Sequence, residues 1–128
     1  TVQVHLQSGS RTFGRKDLYL KAIELDNNLT LAYNNLGLTL SSKETVQVQL
    51  HAGPKTFNKK ELFMEAIKLD NNYVNAYNNL GLNLSSGETV QVHLQTGPKT
   101  LNKKELFLET VKLDNSYAAA YTSLGDTL

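Results

Sequence analysis

Thr45-Val46-Gln47-Val48 stands midway between two copies of itself, Thr1-Val2-Gln3-Val4 and Thr89-Val90-Gln91-Val92, each 44 residues away. The copying runs far past the tetrapeptide. Between 45–84 and 89–128, 26 of 40 positions are identical, too many for chance. Self-similarity at a period of roughly 20–50 residues is the signature of a repeat array. The chain is therefore expected to be one stack, 1–128, of units 1–44, 45–88 and 89–128, each resting mainly on its neighbours.

Working outward from the middle tetrapeptide, Val46, Val48 and Leu50 alternate with Gln47 and Gln49, the pattern of a half-buried strand. His51-Ala52-Gly53-Pro54 is a turn signal, and Lys55-Thr56-Phe57 resumes an extended run. A hairpin with Val46, Val48, Leu50 and Phe57 on one apolar face is expected. A lone hairpin is marginal in water, so that face must lie on something else. Asn58 then suits a helix N-cap, with Glu61 in the capping-box position and Phe57 and Leu62 at the spacing of a hydrophobic staple. Leu101, Asn102, Glu105 and Leu106 repeat the arrangement, while Phe13, Gly14, Asp17 and Leu18 give a weaker version.

Leu62, Phe63, Ala66 and Ile67 form one face of this first helix, with Leu69 at its edge. Asp70-Asn71-Asn72 breaks the pattern. Asn tolerates the left-handed conformation that ends many helices and also caps new ones, so both roles are expected here. Tyr73, Ala76, Tyr77, Leu80, Gly81 and Leu84 make the apolar stripe of a second helix. The short linker makes the two helices antiparallel. Each unit thus reads as hairpin, helix, helix.

Composition narrows the function classes. With 13 basic and 12 acidic residues the net charge is +1, which argues against nucleic acid as partner. There is no cysteine, hence no disulfide and no cysteine-zinc site. No apolar stretch approaches the roughly 18 residues of a membrane span, and no signal-peptide pattern opens the sequence. Compartment stays open. The sequence starts and stops near the repeat phase, so it reads as a segment cut from a longer array, or as a mature or built piece.

The helical half resembles the tetratricopeptide repeat family. The residues that carry the resemblance are Ala66-Ile67-Lys68-Leu69-Asp70-Asn71 and Ala76-Tyr77-Asn78-Asn79-Leu80-Gly81, with Phe63 one turn ahead. Tyr19, Ala22, Leu25, Asp26, Ala32, Tyr33, Leu36 and Gly37 carry it in the first unit. Phe107, Leu113, Asp114, Ala120, Tyr121, Leu124 and Gly125 carry it in the third. The resemblance implies a right-handed α-solenoid of antiparallel helix pairs. Three departures stand out. The turn proline is replaced by Asn27, Asn71 and Asn115; a small residue at a helix crossing is replaced by Lys59; and each unit exceeds the usual length of about 34 residues. The surplus falls where the hairpin lies, so an α+β repeat with a hairpin inserted in each helix pair is expected.

No catalytic, cofactor or metal site is expected. His5, His51 and His93 are the only histidines, and none share a helical ligand spacing. Near-identical units also argue against an active site, which needs one asymmetric constellation. In the family, the helix carrying the groove candidates Asn34, Asn35, Asn78 and Asn79 lines a concave groove, and in some members the Asn before Leu-Gly, here Asn35 and Asn79, is part of a ladder that holds peptide backbones. The carboxylate clamp of some members is missing, since Leu38 and Leu82 occupy its place. Arg15-Lys16, Lys59-Lys60 and Lys103-Lys104 open each first helix against its dipole. They read as a solvated edge neutralised by Glu61 and Glu65, or as a surface for an anionic polymer. Asn28-Leu29-Thr30 and Asn83-Leu84-Ser85 are glycosylation sequons, though neither recurs in all units.

The expected function is therefore a non-catalytic scaffold offering its concave helical surface to a protein or peptide. The alternative is a segment of a rod or filament that stacks end to end with itself, extracellular and glycosylated if Asn28 and Asn83 are used.

Overall fold

The computed structural model describes residues 1–128. The first unit contains β1 (Val2–Leu6), β2 (Gly9–Phe13), α1 (Arg15–Leu25) and α2 (Thr30–Thr39). The second contains β3 (Thr45–Leu50), β4 (Gly53–Asn58), α3 (Lys59–Leu69) and α4 (Val74–Leu82). The third contains β5 (Thr89–Leu94), β6 (Gly97–Asn102), α5 (Lys103–Leu113) and α6 (Ala118–Asp126). The protein is α+β, with hairpin, helix, helix recurring in each unit. No helix is long and apolar enough to cross a membrane.

The three hairpins are separate two-stranded antiparallel sheets. In the middle one, Val46 pairs with Phe57, Val48 with Lys55 and Leu50 with Gly53. Val46, Val48 and Phe57 are buried on one face, as the alternation requires. That face rests on helices: β3 on α1 of the preceding unit, and β4 on α3 of its own. The turn needs glycine at one place. Gly9, Gly53 and Gly97 all adopt positive φ, between 116° and 124°, while His51 and Ala52 do not.

Asn58 and Asn102 cap their helices as expected. Asn58 Oδ1 accepts from Glu61 N at 2.9 Å, and Glu61 Oε1 accepts from Asn58 N at 2.9 Å. The first unit keeps half of this device, with Gly14 N donating to Asp17 Oδ2 at 3.0 Å. Phe57 and Leu62 are both buried, which completes the staple.

The turn between the helices departs from expectation. No non-glycine residue has positive φ, so Asn71 does not end α3 in the left-handed conformation. Asp70 ends it instead in extended backbone, at φ −144°. Nor does asparagine cap the following helix, because Tyr73 occupies that position without a side-chain cap bond. Asp70 Oδ1 accepts from Asn72 N at 2.9 Å and shapes the turn from within. Equivalent bonds join Asp26 to Asn28 and Asp114 to Ser116.

Helix α2 packs on α1 and α3, and α4 packs on α3 and α5. Gly37 and Gly81 permit this. A Cβ at either position would meet the ring of Phe63 or Phe107 at 2.7 Å. One continuous core results, running from Ile23 in the first unit through Leu62, Phe63, Ala66 and Ile67 to Leu106 in the third. No unit has a core of its own.

Candidate functional site

Helices α2, α4 and α6 share one face of the stack. Two side-chain bonds tie them together across it. Asn79 Nδ2 donates to Asn34 Oδ1 at 3.0 Å, and Tyr117 Oη donates to Asn75 Oδ1 at 2.9 Å. Along this face stand the four asparagines singled out from the sequence, and they divide by depth. Asn34 and Asn78 are buried, while Asn35 and Asn79 are half-buried. Asn34 Nδ2 also lies 3.4 Å from Asn35 Oδ1, a long contact. The Asn35 amide nitrogen and the Asn79 amide oxygen are therefore the groups left to meet a ligand, one donor and one acceptor. Asn78 Oδ1 is buried with no partner.

Beside these amides, Leu38 and Leu82 are 53% and 54% exposed at equivalent points on α2 and α4. Leu31 adds a third exposed apolar side chain on α2. Asn83, one of the two sequon residues, is half-buried at the edge of the same face, where its Nδ2 donates to Asn79 O at 2.7 Å. Asn28 is exposed in the α1–α2 turn, on a different part of the surface.

The cationic edge has mostly structural partners, and they differ from those expected. Lys60 pairs with Glu88 at 2.7 Å, and Lys16 pairs with Glu44. Glu61 is engaged in its capping box. The acids thus come from the inter-unit linkers and not from Glu61 and Glu65. Hydrogen bonds from the lysines hold the Glu44 and Glu88 carboxyls below the usual carboxylate range, assisted by backbone N–H groups of Ser41 and Ser85.

Lys59 and Lys103 explain a departure that the sequence left open. Lys59 Nζ donates to Leu40 O at 2.8 Å. Lys103 Nζ donates to Gly81 O at 2.9 Å and Leu84 O at 3.0 Å. Each lysine opens its own helix against the dipole but closes the C-terminal end of the preceding helix, where positive charge is favourable. Its ammonium also lies 5.9 Å from the Phe63 ring centroid or 5.5 Å from that of Phe107.

The asparagines in place of the turn proline were not anticipated as ties. Asn71 Nδ2 donates to Ile67 O at 2.7 Å, and Asn71 Oδ1 accepts from Gln95 N at 2.7 Å in the next hairpin turn. Asn27 does the same between Ile23 O, at 2.8 Å, and His51 N, at 2.6 Å. Proline has no side-chain amide and could make neither bond. The signal was present in the sequence, as the same substitution in every unit. Tyr33 and Tyr77 donate to the carbonyls of these asparagines, each at 2.7 Å. Burial, reinforced by Glu65 and Asp26 or by Glu109 and Asp70, pushes both phenols up to about 12.

The histidines do not converge. His5 Nδ1 lies 2.6 Å from Ser10 Oγ within the first hairpin, and His51 and His93 are exposed on the other two. No group of three or more His, Cys, Asp or Glu side chains is placed to hold a metal. Comparison of the chain with protein-family models and with curated proteins gives no match.

Proposed function

We propose that the chain is a non-catalytic, tetratricopeptide-like scaffold that binds an extended peptide or protein segment along the α2–α4–α6 face. In this reading the helix pairs wind into a right-handed solenoid, and that face is its concave side. The observation that carries it is the pair of half-exposed leucines, Leu38 and Leu82, set beside the Asn35 and Asn79 amides on adjacent parallel-running repeats. Lone exposed leucines need no explanation, but two of them at the repeat spacing, flanked by polar groups, have the make-up of an interaction site. The leucines would hold apolar side chains of the ligand. The free Asn35 donor and Asn79 acceptor would take a backbone carbonyl and a backbone N–H. Asn34 acts behind them, tying α2 to α4 through the bond it accepts from Asn79.

The test is selection from a random peptide display library against the 128-residue chain. Peptides with apolar residues should be enriched. They should lose binding to the Leu38→Ser/Leu82→Ser variant, and bind the Lys55→Ser control as they bind the parent. No enrichment, or binders indifferent to Leu38 and Leu82, would remove the proposal.

A further inference from the structure

We propose that the cleft between the first two hairpins takes an extended segment of a partner polypeptide, which adds to β3 as a third strand and sets an acidic side chain against Arg11. The cleft holds about 300 Å³. Arg11 of β2 stands on one side, Gln47 and Gln49 of β3 on the other, and Leu20 of α1 between them. No residue of it belongs to the α2–α4–α6 face, so this site and the peptide reading can fail separately.

Proline identifies which backbone groups of β3 face the cleft. Pro54 pairs with Gln49 and has no N–H, so Gln49 and Pro54 are not a hydrogen-bonded pair. Bonded and non-bonded pairs alternate in an antiparallel ladder, so Gln47 and Thr56 are not one either. The N–H and C=O groups of Gln47 and Gln49 therefore point out from the hairpin, and no other backbone group bonds to them. The next outward donor on the same edge shows where that edge faces. His51 N donates to Asn27 Oδ1, in the first unit, at 2.6 Å. Gln47 and Gln49 are left with two donors and two acceptors at alternate residues, the pattern that another extended strand matches.

Three of the other strand edges are blunted. Pro54 and Pro98 remove one outward donor each from β4 and β6. On β5, the His93 carbonyl accepts from Asn71 Nδ2 at 3.3 Å. The β3 edge carries neither device along Gln47 and Gln49.

Charge selects the segment. On the α1 floor, Lys21 pairs with Glu24 at 3.6 Å, and Asp17 accepts from Gly14 N at 3.0 Å. Arg11 makes no ion pair; it is exposed, with its guanidinium 5.0 Å from the Phe13 ring centroid. It is the one cation of the cleft without an anionic partner, and an Asp or Glu of the segment supplies one. Alternate residues of a strand face opposite sides, so the inward side chains meet half-buried Leu20 and are apolar.

The experiment is selection of linear peptides from a random display library on the Leu38→Ser/Leu82→Ser chain, in which the other face is disabled. The enriched peptides are then titrated against that chain and further variants of it. They should alternate apolar and polar residues and carry Asp or Glu. Arg11→Glu should weaken their binding roughly 10-fold. Gln47→Pro/Gln49→Pro removes both edge donors and should weaken it roughly 10- to 100-fold. Gln47→Thr/Gln49→Thr keeps the donors and should leave binding unchanged. Melting curves show whether the proline variant is folded, and hydrogen exchange reads the same contact without it: peptide should slow exchange of the Gln47 and Gln49 amides. No enriched peptide, binding indifferent to Arg11→Glu or to a folded proline variant, or exchange at Gln47 and Gln49 unchanged by peptide would each overturn the proposal.

Discussion

Asn79 donates its side-chain amide to the buried Asn34 at 3.0 Å, joining α4 to α2. One repeat later the same two positions are Asn78 and Ser123. A serine hydroxyl is shorter than an asparagine amide, and the bond is not made. Asn78 Oδ1 is left buried without a partner. A buried acceptor with no donor costs about 1–3 kcal/mol.

Ser123→Asn should therefore restore the rung and stabilise the protein by about 1 kcal/mol. Urea denaturation of the variant and parent measures this directly. An unchanged or lower midpoint would show that Asn78 is satisfied in some other way.

Glycine positions should rank by what stands above them. Gly81→Leu drives a side chain into the Phe107 ring, which a Cβ alone would approach to 2.7 Å, and should cost about 1–3 kcal/mol or more. His51→Ala, at an exposed turn residue, should stay within about 0.5 kcal/mol of the parent. Gly125→Ala meets nothing and should gain up to about 1 kcal/mol of helix propensity. Thermal melts of the three decide the order, and equal melting temperatures for the Gly81 and His51 variants would refute it.

The asparagine ties should be strong only where a hairpin follows. Asn71→Ala removes bonds to Ile67 O and Gln95 N, and should cost about 1–2 kcal/mol. Asn115→Ala has no such bonds to lose and should be near neutral, within about 0.5 kcal/mol. Asn71→Pro, which installs the residue of the resembled family, should be no better than Asn71→Ala. Similar losses at Asn71 and Asn115 would disprove the tie.

Stability should fall at both ends of the pH scale for separate reasons. The Glu44 and Glu88 carboxyls are lowered in the folded protein by their lysine partners. Their contribution is present above the ordinary carboxylate range and is lost as pH falls through the folded values. Glu44→Gln/Glu88→Gln should flatten that acid limb. Tyr33 and Tyr77 shift the opposite way, from 10.0 to about 12. Their contribution is complete below pH 10 and disappears as pH rises towards 12. In a phenolate absorbance titration, Tyr33 and Tyr77 should ionise last or only on unfolding, and Tyr117, also raised by burial, later than an ordinary phenol. Six phenols titrating together in a still-folded chain would contradict this.

Much of this protein was legible in its sequence because the repeat states each local rule more than once. The alternation of Val46 and Val48, the Asn58–Glu61 and Asn102–Glu105 caps, and the Leu62-Phe63-Ala66-Ile67 and Ala76-Tyr77-Leu80-Gly81 stripes follow from interactions within a few residues. Propensity and periodicity report such interactions directly. Asn34, Asn35, Asn78 and Asn79 were legible as helix residues, but their division into two buried and two half-buried amides was not. That depends on how closely α2 and α4 approach, and on a side chain 45 positions away.

The same limit separates the remaining features. The sequence by itself determined the period, the element types, the hairpin faces and the position of the close-packing glycines. Only the tertiary structure decided that Lys59 and Lys103 serve the preceding helix, that Glu44 and Glu88 neutralise the cationic edge, and that Asn27 and Asn71 reach across to the next hairpin. Each of those bonds joins groups 19 to 28 residues apart. A long polar side chain has many partners within its reach, and the one it takes is set by which backbone groups the packed core has brought near and left unpaired.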